Sequence, residues 1–143
     1  MKELRKIFSI WLLLFLVSCQ SVQVNDSSYI TEEEVVRVLH ENEINLVEAE
    51  FPGNVYGSKL ININPKTYQL NEKPFFIYEF ATEIDREKGT SEFAKKTATM
   101  ELVSASTFEK RNILIFYVHD QVNSDSVPFE KEIQGALDSI SEG

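Results

Sequence analysis

The chain has 143 residues, 14 of them basic and 23 acidic, giving a net charge of −9, with 43% hydrophobic residues and one cysteine. An acidic balance of this size repels nucleic acid and anionic lipid headgroups, so neither is a partner through charge alone. A single cysteine rules out an internal disulfide.

The chain opens with Lys2, Arg5 and Lys6, continues through the apolar centre Ile10-Trp11-Leu12-Leu13-Leu14-Phe15-Leu16, and reaches Leu16-Val17-Ser18-Cys19. Only 13 residues separate Ile7 from Cys19 inclusive, whereas a helix needs about 20 to span a hydrocarbon core. The cationic start, short apolar stretch and small residue at Ser18 fit a secretory signal processed before residue 19. The segment also resembles the bacterial lipobox, which implies diacylglyceration of the Cys19 sulfur, cleavage between Ser18 and Cys19, and acylation of the new amino terminus. Two or more acyl chains give durable attachment where one is marginal. The competing reading is a secretory signal that ends beside a cysteine by chance, or a buried thiol in an uncleaved helix. Residues 1–18 hold three of the basic and one of the acidic residues, so the processed chain would carry −11. Three segments are therefore expected: a signal peptide over 1–18, a tether over 19–29 and one domain over 30–143. The nine mostly polar residues Gln20 to Ser28 reach about 30 Å when extended.

Thr31 and Glu34 have capping-box spacing, and Glu32, Glu33 and Glu34 sit where a helix dipole favours negative charge. Val35, Val38 and Leu39 follow at helical spacing, and Asn42 is a suitable stop. Ile44 to Glu50 alternates as a strand, and Phe51-Pro52-Gly53-Asn54 is a turn. Lys59 to Ile63 is a further short strand. Thr67 to Leu70 and Phe75 to Phe80 form a hairpin joined through Asn71-Glu72-Lys73-Pro74, the second strand lying inside a sheet because it is apolar on both parities.

Thr82 and Asp85 mark a second helix over Ile84 to Lys96, with Ile84, Phe93 and Ala94 as its few apolar residues and Gly89 as a point of bending or interruption. Leu102 to Ser106 reads as a strand and Glu109 to Asn112 as a polar turn. Ile113 to Val118 is the strongest strand, central and buried on both faces. Phe129, Ile133, Ala136, Leu137 and Ile140 form one stripe of a final helix starting at about Pro128. This order predicts an α+β fold: a mostly antiparallel sheet of four to five strands with helices packed on one face.

The stretches Pro65 to Asn71, Phe76 to Phe80, Asp85 to Gly89, Lys96 to Thr99 and Asn112 to Val118 are similar to uncharacterised small lipoproteins of Bacillus-type Gram-positive bacteria. The resemblance implies a lipid-anchored domain on the outer face of the cytoplasmic membrane, and it carries no functional residue over.

No nucleophile elbow, P-loop, dinucleotide fingerprint or zinc-spaced histidine pair occurs, so no catalytic residue, metal or cofactor is expected. His119 and Asp120 follow the strongest strand, but adjacent residues of an extended chain point to opposite faces. With Tyr78 and Tyr117 they are the candidate ligand-site residues, since aromatic side chains on two strands either line a pocket or fill a core. Packing is the stronger reading of the two. The expected function is a membrane-anchored, non-catalytic interaction or accessory module, with another cell-envelope protein as partner. The alternative is a tethered small-molecule binder with an aromatic-lined pocket.

Overall fold

The computed structural model describes residues 28–121 and 127–141, and the signal and lipobox residues, Ser18 and Cys19 included, lie outside them. Three helices, α1 (Glu32–Glu41), α2 (Glu83–Thr97) and α3 (Glu130–Asp138), accompany five strands: β1 (Val47–Glu48), β2 (Lys66–Leu70), β3 (Lys73–Glu79), β4 (Ala105–Lys110) and β5 (Ile113–Val118). The strands form one antiparallel sheet in the order β1-β2-β3-β5-β4. The architecture is α+β, as the element order predicts.

Helix α1 forms where its cap requires. Thr31 Oγ1 accepts from Glu34 N at 3.1 Å, Val35, Val38 and Leu39 are buried, and the Asn42 side chain donates to Val38 O at 2.8 Å to end the helix. The β2–β3 hairpin closes through a two-residue turn, Asn71 and Glu72, both at positive φ, which matches the twist of paired strands. The expected four-residue connection is therefore too long. Lys73 and Pro74 belong to β3, and Pro74 is tolerated because it sits opposite Gln69 beyond the last β5 pair, Phe75 with Tyr117.

Three further expectations are corrected. The strand over Ile44 to Glu50 shrinks to Val47–Glu48. Lys59 to Ile63 is a tight turn, with Ile61 and Asn62 at positive φ and reciprocal bonds between Leu60 and Ile63 at 3.0 and 2.8 Å. Helix α2 holds this turn: Glu92 Oε2 accepts from Ile61 N, and Lys96 Nζ donates to Lys59 O. The strand expected over Leu102 to Ser106 instead runs from Ala105 to Lys110, leaving Met100, Leu102 and Val103 exposed. Its register follows from the two-residue turn Arg111-Asn112, which sets Lys110 opposite Ile113 and lets every residue of β5 pair.

Helices cover both faces of the sheet rather than one. On β3 and β5, Phe75, Ile77, Ile113, Ile115 and Tyr117 pack against α1 and α3. The alternate set, Phe76, Tyr78, Leu114, Phe116 and Val118, packs with Tyr56, Leu60, Phe80 and the α2 residue Phe93. This period-two division is why both strands read as continuously apolar. Helix α2 is unbroken at Gly89, where a Cβ would lie 2.5 Å from the Phe80 ring, so the glycine serves close approach rather than bending. Ile84, one of the few apolar residues of this helix, is exposed. Arg86 is buried with Thr97, and its Nε donates to Arg111 O at 2.6 Å while its Nη1 pairs with Glu109 at 2.9 Å.

Candidate functional site

The sheet has two distinct ends. At one end Asn112 bonds both Ile30 and Phe80, and Arg111 Nη2 donates to Ser141 O at 2.5 Å. The chain therefore enters and leaves the domain together. His119, Ser104 and the β2–β3 turn occupy the opposite end.

The ladder between β4 and β5 continues past Val118, because His119 N donates to Ser104 O at 3.1 Å. Residues 104, 106, 108 and 110 thus exchange backbone bonds with β5, and the N–H and C=O groups of Ala105, Thr107 and Glu109 point away from it. Among the described residues strand β4 is an edge of the sheet, with β5 as its one neighbouring strand. Beside this edge lies the start of α3, where Phe129 at φ 67° supplies no side-chain cap. Two depressions of about 370 and about 600 Å³ run along the edge and share Thr107, Val127 and Glu130. The smaller adds Ser106, His119 and Gln121, and the larger adds Phe108 and Phe129. Together they form a groove between β4 and α3.

His119 is only 5% exposed and lines this groove. Its Nδ1 accepts from Gln121 N at 3.1 Å, so the ring proton sits on Nε2, which faces Ser106 Oγ at 3.1 Å. Burial pushes the imidazole pKa below its ordinary value, against the opposing pull of Glu130 and Asp120. A serine nucleophile needs an unprotonated imidazole nitrogen to take its proton. Here Nε2 donates to Ser106, and the pair is a structural hydrogen bond within the groove wall.

The other candidate residues separate. Asp120, at φ 56°, pairs its carboxylate with Lys73 Nζ at 2.9 Å. Tyr117 packs beneath His119 with ring centroids 5.7 Å apart, inside the core shared with α1 and α3. Tyr78 belongs to the opposite core, where its hydroxyl donates to Tyr56 O at 2.7 Å and Ser58 O at 2.6 Å. Burial raises the pKa of both phenols. The aromatic side chains are divided between two packed layers, and neither tyrosine lines either depression of the groove.

Ser106 and Thr107 escaped sequence reasoning because the strand was expected to end at Ser106. The signal that finds them is the alternation of Ser106 and Phe108 with Thr107 and Glu109, obscured by the charges at Glu109 and Lys110. A second polar network lies at the other end of the sheet. Glu79 accepts from the Tyr29 hydroxyl and, at 2.6 Å, from Glu32 N, while Glu32 accepts from the Tyr68 hydroxyl. The bond to Glu79 pushes the Tyr29 phenol up to about 12. These contacts fix the start of α1. Among the described residues no group of three His, Cys, Asp or Glu side chains could hold a metal ion, and no helix is long and apolar enough to cross a membrane. No protein-family model, curated protein or solved structure matches the chain.

Proposed function

We propose that this chain is a lipoprotein anchored through acyl chains on Cys19 at the extracytoplasmic face of a bacterial cell membrane, and that its domain is a non-catalytic module that binds another cell-envelope protein. The observation that carries the anchor is Leu16-Val17-Ser18-Cys19 after a cationic start and an apolar stretch too short to span a bilayer. The charge of the processed chain supports attachment by lipid rather than by electrostatic adhesion, because an acidic domain is repelled by anionic headgroups. The interaction reading is supported by the filled cores on both sheet faces and by the tautomer that Gln121 imposes on His119.

Intact-mass measurement on the membrane fraction tests the anchor. The expected species begins at Cys19 and carries acyl mass, and Cys19→Ala releases the domain or leaves an unprocessed precursor. A chain beginning at Cys19 without acyl mass overturns the anchor. Cross-linking in the native membrane followed by mass spectrometry tests the module, and the absence of any specific protein adduct overturns it.

A further inference from the structure

We propose that the groove between the β4 edge and the start of α3 receives an extended peptide segment of the partner protein, one that carries basic side chains. This rests on reading the domain as an interaction module and names the surface and the chemistry of its partner.

The backbone supplies the first part of the case. Ala105, Thr107 and Glu109 present N–H and C=O groups away from β5, and an added strand would pair with them as a sixth member of the sheet. Side-chain recognition comes from the groove beside them. Phe108, Val127 and Phe129 give it an apolar part, suited to an aliphatic side chain of a segment whose residues alternate in direction. Glu130 and Glu132 line the same depression, with Lys131 as the base between them. Neither glutamate has an ion pair among the described residues. Glu109, by contrast, is already engaged by Arg86 and Thr90. The groove therefore offers two carboxylates without an ion pair among the described residues to a cationic segment, in a domain whose overall charge favours approach of a basic partner.

The same charges disfavour a second copy of this chain. Pairing β4 with β4 about a two-fold axis would bring Glu130 and Glu132 toward their own counterparts, and like charges across such an interface are destabilising.

The test uses the full chain in lipid nanodiscs and two short, capped probe peptides, one alternating Lys or Arg with Val and one alternating Glu or Asp with Val. Amide exchange at Ala105, Thr107 and Glu109 is expected to slow with the cationic peptide, which should bind at least about tenfold more tightly than the acidic one. Thr107→Pro removes one outward N–H and leaves the bonds to β5 in place, a substitution edge strands tolerate. It should abolish that protection while the thermal midpoint stays near that of the parent chain. Should Thr107→Pro fail to fold, Glu130→Lys with Glu132→Lys provides the second variant, and the preference between the two peptides should invert. Equal binding of both peptides, absence of protection, or binding that survives these variants overturns the proposal. Protection that appears with rising protein concentration and no peptide also overturns it, assigning the edge to a second copy. If the proposal fails while native cross-links still capture an envelope protein through other residues, the module reading stands and this groove is not its contact.

Discussion

The Asn112 carboxamide grips the backbone of Ile30 on both sides, donating from Nδ2 to Ile30 O and accepting at Oδ1 from Ile30 N, each at 2.8 Å. A third bond runs from Nδ2 to Phe80 O at 3.0 Å. One side chain thereby substitutes for a rung of β-ladder, and it joins the start of the domain to the ends of β3 and β5. Asn112 is 1% exposed and Ile30 fully buried, so water cannot replace these bonds.

Asn112→Ala should therefore destabilise the domain by about 2–4 kcal/mol, since it orphans one buried donor and two buried carbonyls. Urea denaturation followed by tyrosine fluorescence measures the shift in midpoint. A change within experimental error would mean that the N-terminal segment detaches without penalty.

Gly89→Ala sets two effects against each other. Alanine improves helix propensity by about 1 kcal/mol, but its Cβ meets the Phe80 ring at 2.5 Å, and that ring is stacked on Tyr78 with centroids 6.0 Å apart. Overpacking should win, for a net loss of about 1–3 kcal/mol. In a double-mutant cycle, Phe80→Leu should cost less in the Gly89→Ala background than alone, because the smaller side chain makes room for the added methyl.

The His119 contribution to stability has a defined pH direction. Its folded pKa lies below the ordinary value of 6.5, so the unfolded chain takes up the proton first as pH falls. The contribution is present in full above about 6.5 and is lost as pH drops through the folded pKa. Protonation would also place a hydrogen on Nδ1, facing the Gln121 N–H that it now accepts. Comparing denaturation midpoints at about pH 7.5 and about pH 5.5, the parent chain should lose more stability than His119→Gln.

Glu72→Gly should stabilise. Glu72 is exposed and holds φ at 65° in the β2–β3 turn, a conformation that costs a non-glycine residue roughly 1–2 kcal/mol. Glycine following Asn71 supplies the favoured pair for this turn. After the entropy lost by ordering glycine, a gain of about 0.5–1 kcal/mol is expected, read as a rise in thermal midpoint.

The elements legible in the sequence were those whose local chemistry and burial agree. Thr31 caps α1 where its spacing to Glu34 implies, the β2–β3 hairpin turns at Asn71, and the stripe from Phe129 to Ile140 faces the core. Strand β5 is buried along its whole length. What escaped depends on partners distant in sequence. Arg86 looks like a surface residue of a charged helix until Glu109 and the Arg111 carbonyl arrive beside it. Asn112 looks like an ordinary turn residue, since nothing local signals that Ile30 will lie against it. Strand β4 was displaced because Glu109 and Lys110 carry the polarity of a turn, while on an edge strand such charges are compatible with pairing on the inner side. The groove shares the same fate, because Thr107 and Phe108 of its wall lie beyond the expected end of the strand at Ser106.

The positions of Ile30 and the β4–α3 groove give the molecule a mechanical axis. Ile30 is clamped at one end of β3 and β5, and His119 and the mouth of the groove lie at the other. Tension between the chain upstream of residue 28 and a ligand held at that mouth would run lengthwise along the two central strands. The bonds between antiparallel strands lie across that direction, so they would share the load in shear instead of parting one after another. Asn112 on Ile30 and Glu79 on Tyr29 would be the couplings through which such a pull enters the sheet.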